Sequence, residues 1–136
     1  APIILCLYAS QSYVQRHGIP KNIGDLSSHS LLLPNEALAG LPVVKWLKKY
    51  VPDKAIAASS DKLTGLYKMA QQGLGIAPLP HYVGDPDPIL EKVMEVPRQF
   101  HRTIWILTHP DLRHTARIKA FMGFMYNEVK KKAIQM

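Results

Sequence analysis

Residues 58–80 read Ala58-Ser59-Ser60-Asp61-Lys62-Leu63-Thr64-Gly65-Leu66-Tyr67-Lys68-Met69-Ala70-Gln71-Gln72-Gly73-Leu74-Gly75-Ile76-Ala77-Pro78-Leu79-Pro80. Ser59, Ser60 and Asp61 close a strand and offer oxygens suited to capping a helix. Leu63, Leu66, Tyr67 and Ala70 then recur at helical spacing as one core-facing stripe. Gly73 and Gly75 end that helix, and residues 76–79 form a strand closed by Pro80. The stretch is therefore a strand–helix–strand unit with a polar helix start facing open space. The glycine pair is no dinucleotide fingerprint. That motif follows a strand and opens a helix, whereas these glycines follow a helix and open a strand.

On the N-terminal side, residues 2–8 form a strand by length and β-branched content. Ser10 caps a helix over 11–17, which Gly18 ends and Pro20 follows. Residues 25–29 make a short helical turn, and 30–33 a buried strand stopped by Pro34. Residues 35–40 are a loop. Pro42 opens a helix to about residue 50, with Val43, Trp46, Leu47 and Tyr50 on one face and Lys45, Lys48 and Lys49 on the other. Residues 54–58 are the next strand. Residues 31–79 thus contain two consecutive βαβ crossovers, so parallel strands are expected in an open, mixed α/β sheet. On the C-terminal side, a short strand lies near 92–96 and another over 103–107. A helix over about 111–132 follows, with Ile118, Phe121, Met122, Met125 and Val129 along its apolar face.

The 136 residues are 47% hydrophobic and 20% charged, as in ordinary globular proteins. No apolar run approaches a membrane span. The one cysteine, Cys6, lies in the first apolar run, where it reads as a core thiol in a reducing compartment. The net charge of +7 owes much to Arg113, Arg117, Lys119, Lys130, Lys131 and Lys132 in and around the last helix, where cations complement the helix dipole. The six histidines show no metal-ligand spacing, and no nucleophile motif or phosphate loop is present in the sequence. In an open parallel sheet, ligands bind beyond the carboxyl ends of the strands. Three such ends are definable, at Leu33-Pro34-Asn35, Ser59-Ser60-Asp61 and Leu79-Pro80-His81. Free N–H groups near Ser60 favour an anion or polar oxygen, with Leu33, Pro34 and Leu79 expected as apolar walls.

These stretches resemble the effector-binding domain of LysR-type transcriptional regulators. Tyr8-Ala9-Ser10 with Tyr13, Arg16-His17-Gly18 and Pro20 is similar to the family's crossing strand and first helix of the second lobe. Asp25-Leu26, His29 and Leu31–Pro34 match the next pieces, and Ser59-Ser60-Asp61 with Gly73–Pro80 matches the core unit. Trp105–Arg113 with Thr115–Phe121 is similar to the return strand and last helix. The resemblance implies a two-lobed fold like the type 2 periplasmic binding proteins. A small effector binds between the lobes and shifts an oligomer on DNA, with no catalysis and no cofactor. It places about residues 9–108 in the second lobe. Residues 1–8 and 109–136 would belong to the first lobe, whose remainder would lie outside the sequence along with the winged helix-turn-helix that contacts promoter DNA. It assigns Pro34, Asn35, Ser60, Asp61, Leu79 and Pro80 to the effector site, and Tyr8, Ala9, Ser10, Thr108 and His109 to the hinge. It assigns Val43, Trp46, Leu47, Tyr50, Lys54 and Ile56 to a homo-oligomer interface. A cytoplasmic location and a small, anionic effector follow from the same reading. A solute-binding protein of the same fold is the alternative. An enzyme on this scaffold would need a partner for Ser60, and nucleic-acid binding through the basic last helix would show steep salt dependence.

Overall fold

The computed structural model describes residues 2–135 of the chain. Ala1 and Met136, which the expected lobe boundaries include, lie outside the described residues. The elements are β1 (Pro2–Ile3), β2 (Leu5–Ser10), α1 (Gln11–His17), β3 (Leu31–Pro34), α2 (Pro42–Lys48), β4 (Ile56–Ser60), α3 (Leu63–Gln71), β5 (Ala77–Pro80), α4 (His81–Gly84), β6 (Leu90–Glu95), β7 (Arg102–Thr103) and α5 (Ala116–Gln135). The described residues fall into two compact units, one of Ile4–His101 and one of residues 2–3 with 102–135.

In the larger unit, β2 is the middle strand of an antiparallel trio ordered β5-β2-β6. Strands β3 and β4 pair in parallel. A single parallel bridge, Leu31 to Ile76, joins the two sheets. The spatial order becomes β4-β3-β5-β2-β6, so the two expected crossovers exist and the second passes over β3. Alternation along the strands divides the core into two layers. Leu7, Ala9, Leu31 and Leu33 face one side, against Tyr13 of α1 and Val43, Val44 and Leu47 of α2. Cys6, Tyr8, Leu32 and Leu79 face the other, against Leu66 and Ala70 of α3. A sheet covered on both faces explains why these strands read as unbroken apolar runs. Cys6 is fully enclosed, and burial raises its thiol pKa.

The local signals act as chemistry requires. The Tyr13 N–H donates to Ser10 Oγ at 3.1 Å, and Gly18 ends α1 at φ 75°. Helix α3 differs from expectation, because its cap residue is Lys62 and no side chain caps it. Strand β4 begins two residues later than expected, since residues 53–55 form a 3-10 turn first. The loop from β5 to β6 is pinned twice, by one tyrosine of the sheet and by one of α3. Tyr8 OH donates to Asp85 Oδ1 at 2.6 Å, and Lys92 Nζ lies 3.3 Å from the same oxygen. Burial, then the bond to Asp85, pushes the Tyr8 hydroxyl far above its ordinary pKa. Further along the loop Asp87 accepts from Tyr67 OH, from Gln71 Nε2 at 2.6 Å and from the Ile89 N–H at 2.8 Å. The Tyr67 bond chiefly holds the Asp87 carboxyl below its usual range.

In the smaller unit, β1 and β7 form a two-residue antiparallel pair. The expected strand over 103–107 shrinks to β7. Residues 104–107 have no neighbouring strand among the described residues, and Trp105 and Leu107 are 77% and 85% exposed. Helix α5 starts later than expected, at Ala116. Residues 109–115 form turns, with Thr115 Oγ1 donating to the Leu112 carbonyl at 2.8 Å. An open apolar trough of about 840 Å³ lies within this unit, walled by Ile104, Trp105, Ile106, Met122, Tyr126 and Val129. Of the expected α5 stripe, Ile118, Met122, Met125 and Val129 are half-buried and Phe121 is exposed.

The junction between sheets is the point most sensitive to a single methyl. A Cβ on Gly75 would stand 2.4 Å from the Ser30 carbonyl oxygen, a backbone atom. Gly75→Ala is therefore expected to lower stability by about 1–3 kcal/mol, the range for overpacking. Gly40→Ala, where nothing lies within 4 Å of the new Cβ, should stay within about 0.5 kcal/mol. Urea denaturation of both variants checks this, and equal midpoints would show that the junction tolerates strain.

Candidate functional site

The site follows from register. Pairing of Leu33 with Ser59 and Pro34 with Ser60 brings the ends of β3 and β4 level. The bridge from Leu31 to Ile76 runs β5 in the same direction on the other side of β3. The carboxyl ends of β3, β4 and β5 therefore share one edge. The Asn35 N–H donates to the Ser60 carbonyl at 3.1 Å, which ties two of the ends together.

Accessibility along this edge is uneven. Asp61 is exposed, and Asn35 and Ser60 are half-buried. Pro34, Leu79 and Pro80 are buried, as is Leu33. Leu33 and Leu79 are core residues, so the expected apolar walls contribute packing beneath the rim rather than contact surface. Pro80 pairs with Leu5 in the ladder. The reachable chemistry is that of Asn35, Ser60, Asp61 and the first turn of α3.

Ser60 Oγ accepts the Lys62 N–H and donates to the Lys62 carbonyl, both at 3.1 Å, so it folds over the cap residue. The first bond of α3 runs from the Leu66 N–H to the Lys62 carbonyl at 3.3 Å. The N–H groups of Leu63, Thr64 and Gly65 have no acceptor among the described residues, as expected at an uncapped helix start. Asn35 Oδ1 is a buried acceptor with no partner among the described residues. Among the described residues, the start of α3 therefore leaves three donors unpaired, and one buried acceptor lies unsatisfied beneath the rim. Gly65 is a residue that periodicity alone passed over. A Cβ there would stand 2.2 Å from Ser60 Oγ. Its sequence signal is a glycine in the first turn of a helix that follows a polar strand end.

The other assigned residues are distributed differently from expectation. Tyr8, Ala9 and Ser10 are buried inside β2, paired with β5, β6 or both. The boundary between units falls earlier, between Ile3 and Ile4, and on the return between His101 and Arg102. Strand β2 is paired on both sides, and its register with β6 shifts between Leu7 and Tyr8. Thr108 and His109 lie in the smaller unit, where the Asp111 N–H donates to His109 Nδ1 at 3.3 Å. Val43 and Leu47 belong to the larger unit's own core and offer no interface surface. Trp46 is half-buried and packs on Phe100 with ring centroids 5.1 Å apart. Tyr50 is 43% exposed, Lys54 is exposed and Ile56 half-buried. No group of three metal-ligating side chains occurs among the described residues, and no described helix is long and apolar enough to cross a membrane.

The LysR substrate binding domain family model matches residues 4–130, and the chain belongs to that family. Among solved structures, the CrgA regulatory domain, from a LysR-type regulator of Neisseria meningitidis, is similar at 17% identity and TM-score 0.67. That match covers 94% of this chain and 65% of that one. The AmpR effector domain of Pseudomonas aeruginosa is similar at 18% identity and TM-score 0.60, covering 98% and 62%. The AphB regulatory domain of Vibrio vulnificus is similar at 23% identity and TM-score 0.54, covering 74% and 51%. The chain thus spans about half to two thirds of the length of these domains. No match was found among curated proteins. The fold is that of a type 2 periplasmic-binding-like lobe, and the family's domains bind regulatory ligands rather than catalyse reactions.

The close approach of Gly65 to Ser60 gives a test of the rim. Gly65→Ala gains about 1 kcal/mol of helix propensity but evicts the serine hydroxyl from two backbone bonds of about 1 kcal/mol each, so a net loss of up to about 1 kcal/mol is expected. In a Ser60→Gly background the same change should cost at least about 0.5 kcal/mol less, because neighbouring sites couple. A double-mutant cycle by thermal denaturation reads the coupling, and additive effects would contradict the contact.

Proposed function

We propose that the chain is the ligand-sensing part of a LysR-type transcription regulator and that its rim takes one side of a small, anionic effector. The observation that carries this reading is the donor–acceptor set at the end of β3, β4 and the start of α3. Three unpaired N–H groups at a helix start favour a carboxylate. The unsatisfied Asn35 Oδ1 favours a ligand that also carries a hydroxyl or amine. Of the other assigned effector residues, Asp61 stands exposed beside Ser60, while Pro34, Leu79 and Pro80 form the floor.

In this reading a second lobe supplies the remaining contacts, and promoter DNA is met through a helix-turn-helix outside these residues, in the cytoplasm. Effector binding shifts the population of lobe arrangements, and an oligomer transmits the shift. The exposed part of the α2–β4 surface, Trp46, Tyr50, Lys54 and Ile56, supports a role in that oligomer. Among the described strands β4 pairs only with β3, so it leaves one edge unpaired.

Thermal-shift screening of a chain carrying both lobes against small carboxylates and hydroxy- or amino-carboxylates tests the site. Ser60→Ala and Asn35→Leu should each weaken the best hit about tenfold or more, the worth of one hydrogen bond to a charged or buried group. DNA affinity without effector should be unchanged. Wild-type titration curves in both variants would remove these residues from the site. For the oligomer, Tyr50→Asp should raise the dissociation constant at least about tenfold by placing a charge in a buried interface. Sedimentation unchanged by that substitution would exclude the α2 face.

A further inference from the structure

We propose that Tyr13 and His29 form an acid-released latch fastening α1 and the 3-10 turn of Ile23–Ser28 to the start of β3. Tyr13 is enclosed, and its hydroxyl oxygen accepts the Ser30 N–H at 3.0 Å. The same oxygen lies 2.9 Å from His29 Nδ1. A backbone N–H can only donate, so the hydroxyl hydrogen is free to go to His29. Nδ1 therefore accepts, and the neutral ring carries its proton on Nε2, an assignment inferred from the bonding network. His17 stacks on the Tyr13 ring with centroids 4.5 Å apart. The latch thus has an imidazole against the ring and another at the hydroxyl.

The charged and titratable neighbours are few. Helix α1 contributes Tyr13, Arg16 and His17, the 3-10 turn contributes Asp25, and the first residues of β3 contribute none. Arg16 is engaged with the carbonyls of Gly73 and Ser12, at 3.1 and 3.2 Å. Asp25 Oδ2 accepts the Lys21 N–H at 2.9 Å. Burial lowers the His29 pKa first, His17 lowers it further, and Asp25 opposes them. Above about pH 6.5 the ring is neutral in both folded and unfolded chains and the latch contributes in full. As pH falls below that value toward the depressed folded-state pKa, the unfolded chain takes up the proton more readily, and the contribution is lost.

Protonation also changes the hydrogen-bond count. Nδ1 becomes a donor, so the Tyr13 oxygen faces two donors, Nδ1–H and the Ser30 N–H. The hydroxyl hydrogen then has no acceptor among the described residues in a buried setting, and a charged ring faces His17. Strand β3 is held at its entry by this oxygen and ends at Pro34, so the device sits at the opposite end of the strand that forms the rim.

Hydrogen exchange of the Ser30 amide, corrected for intrinsic pH dependence, tests the latch between pH 7.5 and 5.0. Protection of Ser30 should fall about fivefold to tenfold relative to Leu32, the scale of one buried hydrogen bond. Leu32 is the internal reference because its N–H bonds to the Ile76 carbonyl. In His29→Asn, whose Oδ1 can accept but does not titrate, the ratio should stay flat. Nitrogen NMR of wild-type His29 should show Nδ1 as the unprotonated acceptor at pH 7.5. A pH-independent ratio in the wild type, an unaltered decline in His29→Asn, or Nδ1 protonated at pH 7.5 would each overturn the proposal.

Discussion

Two backbone hydrogen bonds hold the larger unit together as one sheet. The Leu32 N–H donates to the Ile76 carbonyl, and the Ile76 N–H to the Ser30 carbonyl, both at 2.8 Å. Without them the chain would contain an antiparallel trio and a separate parallel pair. With them, the parallel pair is set beside β5, the three carboxyl ends face one way, and the two apolar layers become continuous. The approach is close enough that position 75 must be glycine or nearly so. The Gly73-Leu74-Gly75 turn therefore has two different tasks. Gly73 supplies a positive φ at the end of α3, and Gly75 supplies room for another strand's backbone.

Most of the larger unit was legible because its signals are local. Ser10 and Gly18 bracket α1 and Pro42 opens α2, while of the expected α3 stripe Leu66 and Ala70 reach the core, Tyr67 is half-buried and Leu63 is exposed. What was not legible depends on partners far away in sequence. Residues 2–8 read as one strand, yet β1 and β2 separate at Ile4, where the chain passes from one unit to the other. Residues 104–107 form an unbroken apolar run, but a strand exists only where another strand pairs with it. Arg102 and Thr103 find Ile3 and Pro2, while the next four residues find none among those described. Periodicity reports what a segment could bury, and pairing decides how far the segment is a strand.

The same distinction governs the candidate site. Asn35 and Ser60 could be named from the sequence because strand ends and polar residues are both local features. That Leu79 and Pro80 are floor and not wall could not. Their burial depends on β2 returning antiparallel alongside β5, a contact more than seventy residues distant in sequence. Likewise Val43, Trp46, Leu47 and Tyr50 share a helical stripe, but a stripe wide enough for both a core and an interface does not say where one gives way to the other. Packing of Val43 and Leu47 against the sheet settles that division in favour of the core for those two.

Rigidity is distributed unequally around the sheet, and the pattern bears on function. The β5–β6 loop, on the route back from the rim, is fixed by two tyrosine–carboxylate pairs, one from the sheet and one from α3. Each bond involves a charged acceptor and is stronger than a neutral pair. The entry to α3 has nothing comparable. Its cap residue makes no side-chain cap bond, and its one polar tether is a serine hydroxyl bonded to the backbone two residues on. Because such bonds contribute about 1 kcal/mol each, a ligand that offers acceptors to the free N–H groups can displace this tether at small cost. With a clamp on the far side of α3 and a loosely held start at the rim, a ligand bound as proposed would order the helix entry without disturbing the core beneath it.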